Sequence, residues 1–300
     1  MNRAPPNAVA LETTLLIHGV PPETAAPLFH DLVADAARAG SQAALIGVVA
    51  GRPTVGMTEA EFRQLLAVSK GTDAARPGSG LSGVAKLNTS NLGIAIHRGE
   101  HGATTVSATA ELAAAAGLSV FATGGLGGVH RGFGERLDVS SDLAALARFP
   151  VCVVASGVKN LLDVVSTREA LETLGVPVVG YRTDAFPAFY VRESEASVDA
   201  RFDDPAGLAS FVEAELQRTG RGVLVCQPVP ESHAFTAGEW EAILARAQGE
   251  ARTGRDATPD VLSAVHRLSD GRTLDANIAL VRANVTLAGQ IRASFGQTRA

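Results

Sequence analysis

The stretch "VCVVASGVKN", Val151 to Asn160, decides how the chain is read. Val151 to Ala155 are small or β-branched apolar residues, the composition of a strand buried on both faces. The chain then passes Ser156, Gly157 and Val158 and places Lys159 at the strand's mouth. An ammonium so close to a buried strand is costly unless it reaches water or a partner. That makes the mouth of this strand the first place to look for chemistry.

Outward from this point, apolar β-rich runs alternate with amphipathic helical stretches. Strands are expected near Ala8 to Ile17, Ala43 to Val49, Leu92 to His97, Ser119 to Ala122, Val151 to Ala155, Val178 to Tyr181 and Gly222 to Cys226. The pattern predicts an α/β fold, a mixed, largely parallel central sheet flanked by helices, as one domain over 1–300. The sheet is expected to be mixed because "GRPTVG", after the strand ending near Ala50, reads as a hairpin return. "TEAE", Thr58 to Glu61, is a capping box ahead of Phe62, Leu65 and Leu66. Asp204 and Pro205 are an N-cap and a first-turn proline, with Leu208, Phe211, Val212 and Leu216 forming one face. Lys70 to Gly83 is rich in Gly, Pro and Ser and reads as a loop, for which a substrate lid and a plain linker both stay open. The last third is expected to be helical over Glu239 to Ala247, Thr258 to Leu268 and Leu274 to Ser294.

With 300 residues and 46% hydrophobic content the chain can bury a sizeable core. Its 26 basic residues are scattered and its net charge is -5, so neither a nucleic-acid nor an anionic-membrane footprint is present. The expected partner is a small molecule. Cys152 and Cys226 each sit inside an apolar run, which suits reduced, strand-buried thiols. "MNRAPPNAVALE" carries no secretory pattern and no segment is long enough to span a bilayer, so the expectation is a cytoplasmic protein.

In α/β sheets ligands collect at the carboxyl ends of strands. Five such exits carry polar residues: Glu12 in "VALETT", Lys86 in "AKLN", Thr123 and His130 in "FATGGLGGVHRG", Asp138 to Asp142 in "LDVSSD", and Lys159. Each has a plain structural reading. Glu12 fits a solvated sheet face, and Ser140 or Ser141 fits a helix cap. The glycine run lacks the third glycine of a dinucleotide fingerprint, although clustered N–H groups could cradle a phosphate. No G-x-S-x-G, H-E-x-x-H or C-x-x-C motif occurs, which argues against serine hydrolases and zinc enzymes. Taken together the exits are more specific. A lysine partly desolvated, or close to a second cation such as Lys86, has a lowered pKa and attacks aldehydes or the C1 of a sugar phosphate. Glu12 could then move protons and Asp138 could hold a divalent metal.

At these same residues the sequence resembles the pseudouridine-5'-phosphate glycosidase family, also called indigoidine synthase A-like. The matching segments are "VALETTLLIHG", "GATTV", "VFATGGLGGVHRG", "LDVSSDL", "VASGVKNLLD", "LETLGVPVVGY", "PAFY" and "PVPE", in family order. The resemblance implies an α/β homotrimer with one manganese ion per subunit. It implies an enzyme that makes or breaks a carbon–carbon glycosidic bond between ribose 5-phosphate and a planar ring. By motif it makes Lys159 the Schiff-base nucleophile, Glu12 the proton donor and Asp138 the metal residue, directly or through its water shell. Lys86, Val106, Ser140, Ser141 and Asp142 then line the substrate site. Thr123 and His130 are added as phosphate or sugar contacts, and Asn277 as a base-side contact. A C-glycosidic bond has no leaving-group oxygen to protonate, so an iminium at C1 is needed as the electron sink, where paired carboxylates suffice for O-glycosides.

Three departures bear on the acceptor. The family's K-V-S-R-R-D-L is "KLNTSNL" here, its A-N-P is "CQP", and its I-S-A-D is "VSSD". Losing two arginines and an aspartate leaves a more neutral base-side pocket. The sequence therefore favours a C-ribosyl synthase joining ribose 5-phosphate to an aromatic polyketide-type acceptor. Cleavage of pseudouridine 5'-phosphate, with uracil as the ring, is the alternative.

Overall fold

The computed structural model describes residues 1–71, 83–250 and 264–296. A ten-stranded sheet runs through them. At its centre β1 (Ala8–Glu12) lies between β2 (Gln42–Val49) and β6 (Val120–Ala122). Beyond β6 follow β8 (Cys152–Ala155), β12 (Val223–Cys226), β10 (Val178–Tyr181) and the edge strand β11 (Ala200–Phe202). Beyond β2 follow β5 (Gly102–Thr104) and β4 (Ala85–Leu87), while β3 (Arg52–Val55) also pairs with β2. Every neighbour pair from β11 to β2 is parallel; β3 and β5 run antiparallel to β2. A separate two-stranded ladder joins β7 (Val129–His130) to β9 (Leu162–Asp163). The mixed, largely parallel sheet and its hairpin return are as expected from the sequence.

The helices are α1 (Thr13–His18), α2 (Pro22–Arg38), α3 (Glu59–Ser69), α4 (Leu92–Arg98), α5 (Val106–Ala115), α6 (Phe133–Arg136), α7 (Ser141–Arg148), α8 (Val164–Thr173), α9 (Pro205–Thr219), α10 (Ala237–Glu250) and α11 (Arg272–Ser294). Strand residues alternate between two cores, as a period of two requires. Val9, Leu11, Val120, Ala122, Cys152 and Val154 face α2, α9 and α11. Ala8, Ala10, Phe121, Val153 and Ala155 face α5, α7 and α8. Burial on both faces is why β8 is apolar throughout and why both free cysteines are sealed in strands, where burial pushes their thiols up.

The capping box at Thr58 and Glu61 and the Asp204 cap, whose carboxylate accepts from Gly207 N at 2.7 Å, both form. One expected strand does not form and another ends early. Leu92 to His97 is helix α4: Leu92 and Ala95 are buried while Ile94 is 51% exposed, a helical spacing that strand alternation cannot produce. The strand from Ala8 ends at Glu12, and Thr13 to His18 turns into α1, burying Thr13, Leu16 and Ile17. The continuous apolar run from Ala8 carries no period, so the boundary at Glu12 is not marked in the sequence. The helix expected over Thr258 to Leu268 is described only from residue 264, and most of the loop Lys70 to Gly83 lies outside the described residues.

Candidate active site

The register of the sheet assembles the site. Leu11 pairs with Ala122 across β1 and β6, so Glu12 and Thr123 leave the two strands side by side. The Thr123 hydroxyl donates to the Glu12 carboxylate. Glu12 is only 8% exposed, which removes the solvated-face reading. Burial pushes its carboxyl above the usual carboxylate range, and the Asp142 carboxylate adds to this. Lys159, the Thr123 hydroxyl and Lys86 act in the opposite sense. One carboxyl thus senses Thr123, Lys159, Lys86 and Asp142 at once. It retains its proton where an exposed glutamate has lost it.

Lys159 arrives on an arch that continues β8. Ser156 N donates to Gly124 O at 2.9 Å, Leu126 N to Gly157 O at 2.9 Å, and Lys159 N to Leu126 O at 3.2 Å. The exits of β6 and β8 therefore run on together past the sheet. Gly157 has φ +74°, and a Cβ there would lie 1.7 Å from Pro187 O, so only glycine fits the arch. Lys159 itself is exposed at the mouth, which removes partial desolvation, one of the two routes to a reactive amine expected from the sequence, and leaves proximity to a second cation such as Lys86.

Lys86 reaches the same place by another route. It lies within β4, not at a strand exit, paired with Ala103 of β5. Because β5 runs antiparallel to β2, with Gly47 opposite Ala103, the β4–β5 pair returns toward the level of Glu12. The following segment shapes a turn from its own side chains. Asn91 Oδ1 accepts from Asn88 N at 2.8 Å, Asn91 Nδ2 donates to Lys86 O at 3.1 Å, and Asn88 Oδ1 accepts from Ser90 N at 2.8 Å.

Asp142 acts as a bracket. Its Oδ1 accepts from Ser107 N at 3.0 Å and its Oδ2 from Gly127 N at 2.9 Å, joining the start of α5 to the glycine run. Ser140 caps α7 through Asp142 N at 3.2 Å, and Ser141 Oγ lies 2.9 Å from Ser107 Oγ. The cap reading of Ser140 holds. Val106, 3% exposed, begins α5 with its side chain in the core, so its backbone is what it can offer a ligand. Three N–H groups of the glycine run are committed within the protein, those of Leu126, Gly127 and Val129, which donate to Gly157 O, Asp142 and Thr167. Close packing explains the glycines, since a Cβ on Gly127 would lie 2.3 Å from Ser140 Oγ.

His130 and Asp138 form the outer rim. His130 pairs with Leu162 in the β7–β9 ladder, and Leu162 N donates to Lys159 O at 2.9 Å. His130 Nδ1 lies 3.7 Å from Asp138 Oδ2, both side chains being partly open to solvent. Among the described residues no group of three His, Cys, Asp or Glu side chains could hold a metal. Asp138 fits a metal only as the single carboxylate of a hydrated hard cation, not as part of a protein cage. Asn277, on α11, donates from Nδ2 to Gly19 O at 3.4 Å, while its Oδ1 is buried without a hydrogen-bond partner. A Cβ on Gly124 would come within 3.3 Å of that oxygen, so it sits beside the β6 exit.

Two residues at the site escape sequence reasoning. His18, at the end of α1, hydrogen-bonds the Val84 backbone, and burial with the nearby Lys86 holds its imidazole below the usual range. Asn284 is fully buried in the apolar face of α11. A polar residue at a core position of an amphipathic helix was the available signal. An open cleft of about 370 Å³ at the exits of β10 and β11 contains none of the site residues. Two of the arginines lining it are occupied, Arg201 by Asp184 and Asp203 and Arg192 by Val229 O.

Residues 3–294 match the family model described as indigoidine synthase A like protein. The chain is 43% identical to the pseudouridine-5'-phosphate glycosidase of Methylobacterium nodulans over 97% of its length and 84% of that protein's. It is 41% identical to the protein of the same name from Deinococcus radiodurans, covering 96% of this chain and 90% of that one. Among solved structures it superposes on an indigoidine synthase A-like protein of Thermotoga maritima with a TM-score of 0.85 and 34% identity, covering 97% and 94% of the two chains. The prealnumycin C-glycosynthase AlnA, crystallised with ribulose 5-phosphate, gives a TM-score of 0.82 and 34% identity over 96% and 91%. With matches over nearly the whole chain, the protein belongs to the indigoidine synthase A-like family.

Proposed function

We propose that this protein is a C-glycosidic lyase that cleaves pseudouridine 5'-phosphate to uracil and ribose 5-phosphate through an imine on Lys159. The observation that carries this reading is the meeting in one place of a buried Glu12, its carboxyl raised by burial, with Lys159 from a strand exit and Lys86 from within β4. The Lys159 amine attacks C1', the C1'–O4' bond opens, and the amine proton passes to O4'. The nitrogen lone pair then expels the ring: C1'–C5 breaks, C5 takes the Glu12 proton, and an iminium remains on Lys159. Water hydrolyses it to ribose 5-phosphate and returns a proton to Glu12. Lys86 balances negative charge beside Glu12. Asn277 Oδ1, buried and unpartnered, suits an N–H of the uracil ring.

His130, Ser140 and Ser141 are proposed as sugar or phosphate contacts on the same rim. A manganese ion at Asp138, held through its water shell, would supply positive charge to the substrate's phosphate or oxygens. Calorimetric titration of Mn2+ into wild type and Asp138→Asn checks this apart from activity, the variant losing about 10–100-fold in affinity. The proposed assembly is a homotrimer. Phe133, Leu137 and Val139, exposed within seven residues beside His130 and Asp138, are a surface that another protomer can cover, and a light-scattering mass checks it.

The C-ribosyl synthase favoured from the sequence takes second place. Relatives more than 40% identical carry the glycosidase name, and the C-glycosynthase structure is 34% identical. Its support is the Lys86–Leu92 turn, where Thr89, Ser90 and Asn91 stand in place of two arginines and an aspartate and Asn88 and Asn91 bond to each other. Incubation with pseudouridine 5'-phosphate and manganese separates the two. Uracil release supports the lyase; no release, with ribose 5-phosphate still trapped on Lys159 by borohydride, selects the synthase. Failure of ribose 5-phosphate to label Lys159 under borohydride overturns the imine chemistry of both.

A further inference from the structure

Asn284 projects from α11 into the layer between helix and sheet, and none of its surface is exposed. Its neighbours on that face, Leu280, Val281, Val285 and Ala288, are apolar. Its Nδ2 donates to Thr123 O at 2.8 Å, to Gly124 O at 3.5 Å and to Ser156 Oγ at 3.1 Å, and its Oδ1 lies 3.5 Å from the Ser156 hydroxyl. Two of these partners are carbonyls, which only accept, so the amide nitrogen must face them.

We propose that Asn284 is the positioning residue that sets the Lys159 amine against the Glu12 carboxyl; this rests on the imine reading above. Thr123 carries the hydroxyl that holds Glu12, and Ser156 begins the arch that carries Lys159. One amide therefore ties the support of the acid to the support of the nucleophile. β6 and β8 are paired through Ala122 and Val154, and past that point only backbone bonds such as Thr123 N to Val154 O at 3.0 Å and Ser156 N to Gly124 O at 2.9 Å join the two exits directly. Asn284 clamps them at the first residues outside the ladder. It touches no reacting atom, so its effect runs through placement. Small displacements of reacting groups cost far more rate than binding.

The test uses the full chain with Asn284→Ala, Asn284→Asp and the milder Ser156→Ala, each checked for folding by near-UV circular dichroism. Asn284→Ala is expected to lower kcat for uracil release about 10–100-fold with KM changed less than about threefold, and to slow borohydride trapping alike. Asn284→Asp is expected to regain activity as pH falls, because a protonated carboxyl can donate to Thr123 O and an ionised one cannot. Ser156→Ala should fall between wild type and Asn284→Ala, and it decides the matter if the latter does not fold. A folded Asn284→Ala with wild-type kcat and trapping rate overturns the proposal, as does an Asn284→Asp whose pH profile follows wild type. Should wild type itself fail to trap, the imine reading falls separately. The rate of Lys159 acetylation by acetic anhydride then still decides placement: a changed rate in Asn284→Ala supports it and an equal rate overturns it.

Discussion

Thr123 donates its hydroxyl hydrogen to Glu12 at the point where β6 and β1 leave the sheet, a contact dictated by the pairing of Leu11 with Ala122. The bond holds one carboxylate oxygen in place and partly offsets the burial that keeps Glu12 protonated. Thr123→Val keeps the shape and removes the donor. The variant should lose about 1 kcal/mol of stability in urea unfolding, and the alkaline limb of its kcat profile should move to higher pH.

Glu12→Gln removes the proton and keeps the hydrogen-bond acceptor. Its kcat should fall about 10²–10⁴-fold with the fold intact. The pH dependence of stability gives a second readout. Glu12 titrates higher in the folded state than unfolded, so its contribution is complete below its unfolded pKa and is lost as pH rises through the folded one. Wild type should therefore lose stability relative to Glu12→Gln as pH rises above the ordinary glutamate range, with the difference smallest in acid. Thermal melts that stay parallel through that rise would show that Glu12 is ionised in the folded protein.

Lys159→Ala should leave the melting temperature nearly unchanged, because the side chain is exposed and outside both cores. Turnover should fall about four or more orders of magnitude, as for other lost nucleophiles. A variant that melts much earlier would assign the lysine a structural role.

Gly157→Ala tests the arch. A left-handed backbone angle and a carbonyl 1.7 Å from the added carbon leave the methyl no room. The change should cost about 1–3 kcal/mol by denaturant titration and depress kcat, since the arch must move to relieve the clash. Gly99→Ala, also at positive φ but with open space around it, is the control for backbone strain alone and should leave kcat unchanged.

Much of this protein is legible from local pattern. The β8 run, the capping box at Thr58 and the Asp204 cap each form as read, because burial on two faces and unsatisfied N–H groups leave a mark on adjacent residues. Leu92 to His97 is the counterexample. Its isoleucines favour a strand, but the asparagine turn before it and Gly99 after it, in a left-handed cap, frame a helix.

The sequence by itself determined the chemistry on offer: a lysine at the end of a buried strand, a glutamate at the end of another, and the motifs that tie both to one family. Tertiary structure alone decided how these groups behave. The Glu12 carboxyl is raised because the sheet buries it near Asp142, against the opposing pull of Thr123 and Lys159, and Lys86 joins it because β5 reverses direction against β2. Asn284, far along the chain, reaches both strand exits because α11 packs across β6 and β8. Such contacts depend on register and packing between distant segments, and neither is written in the residues next to the ones they hold.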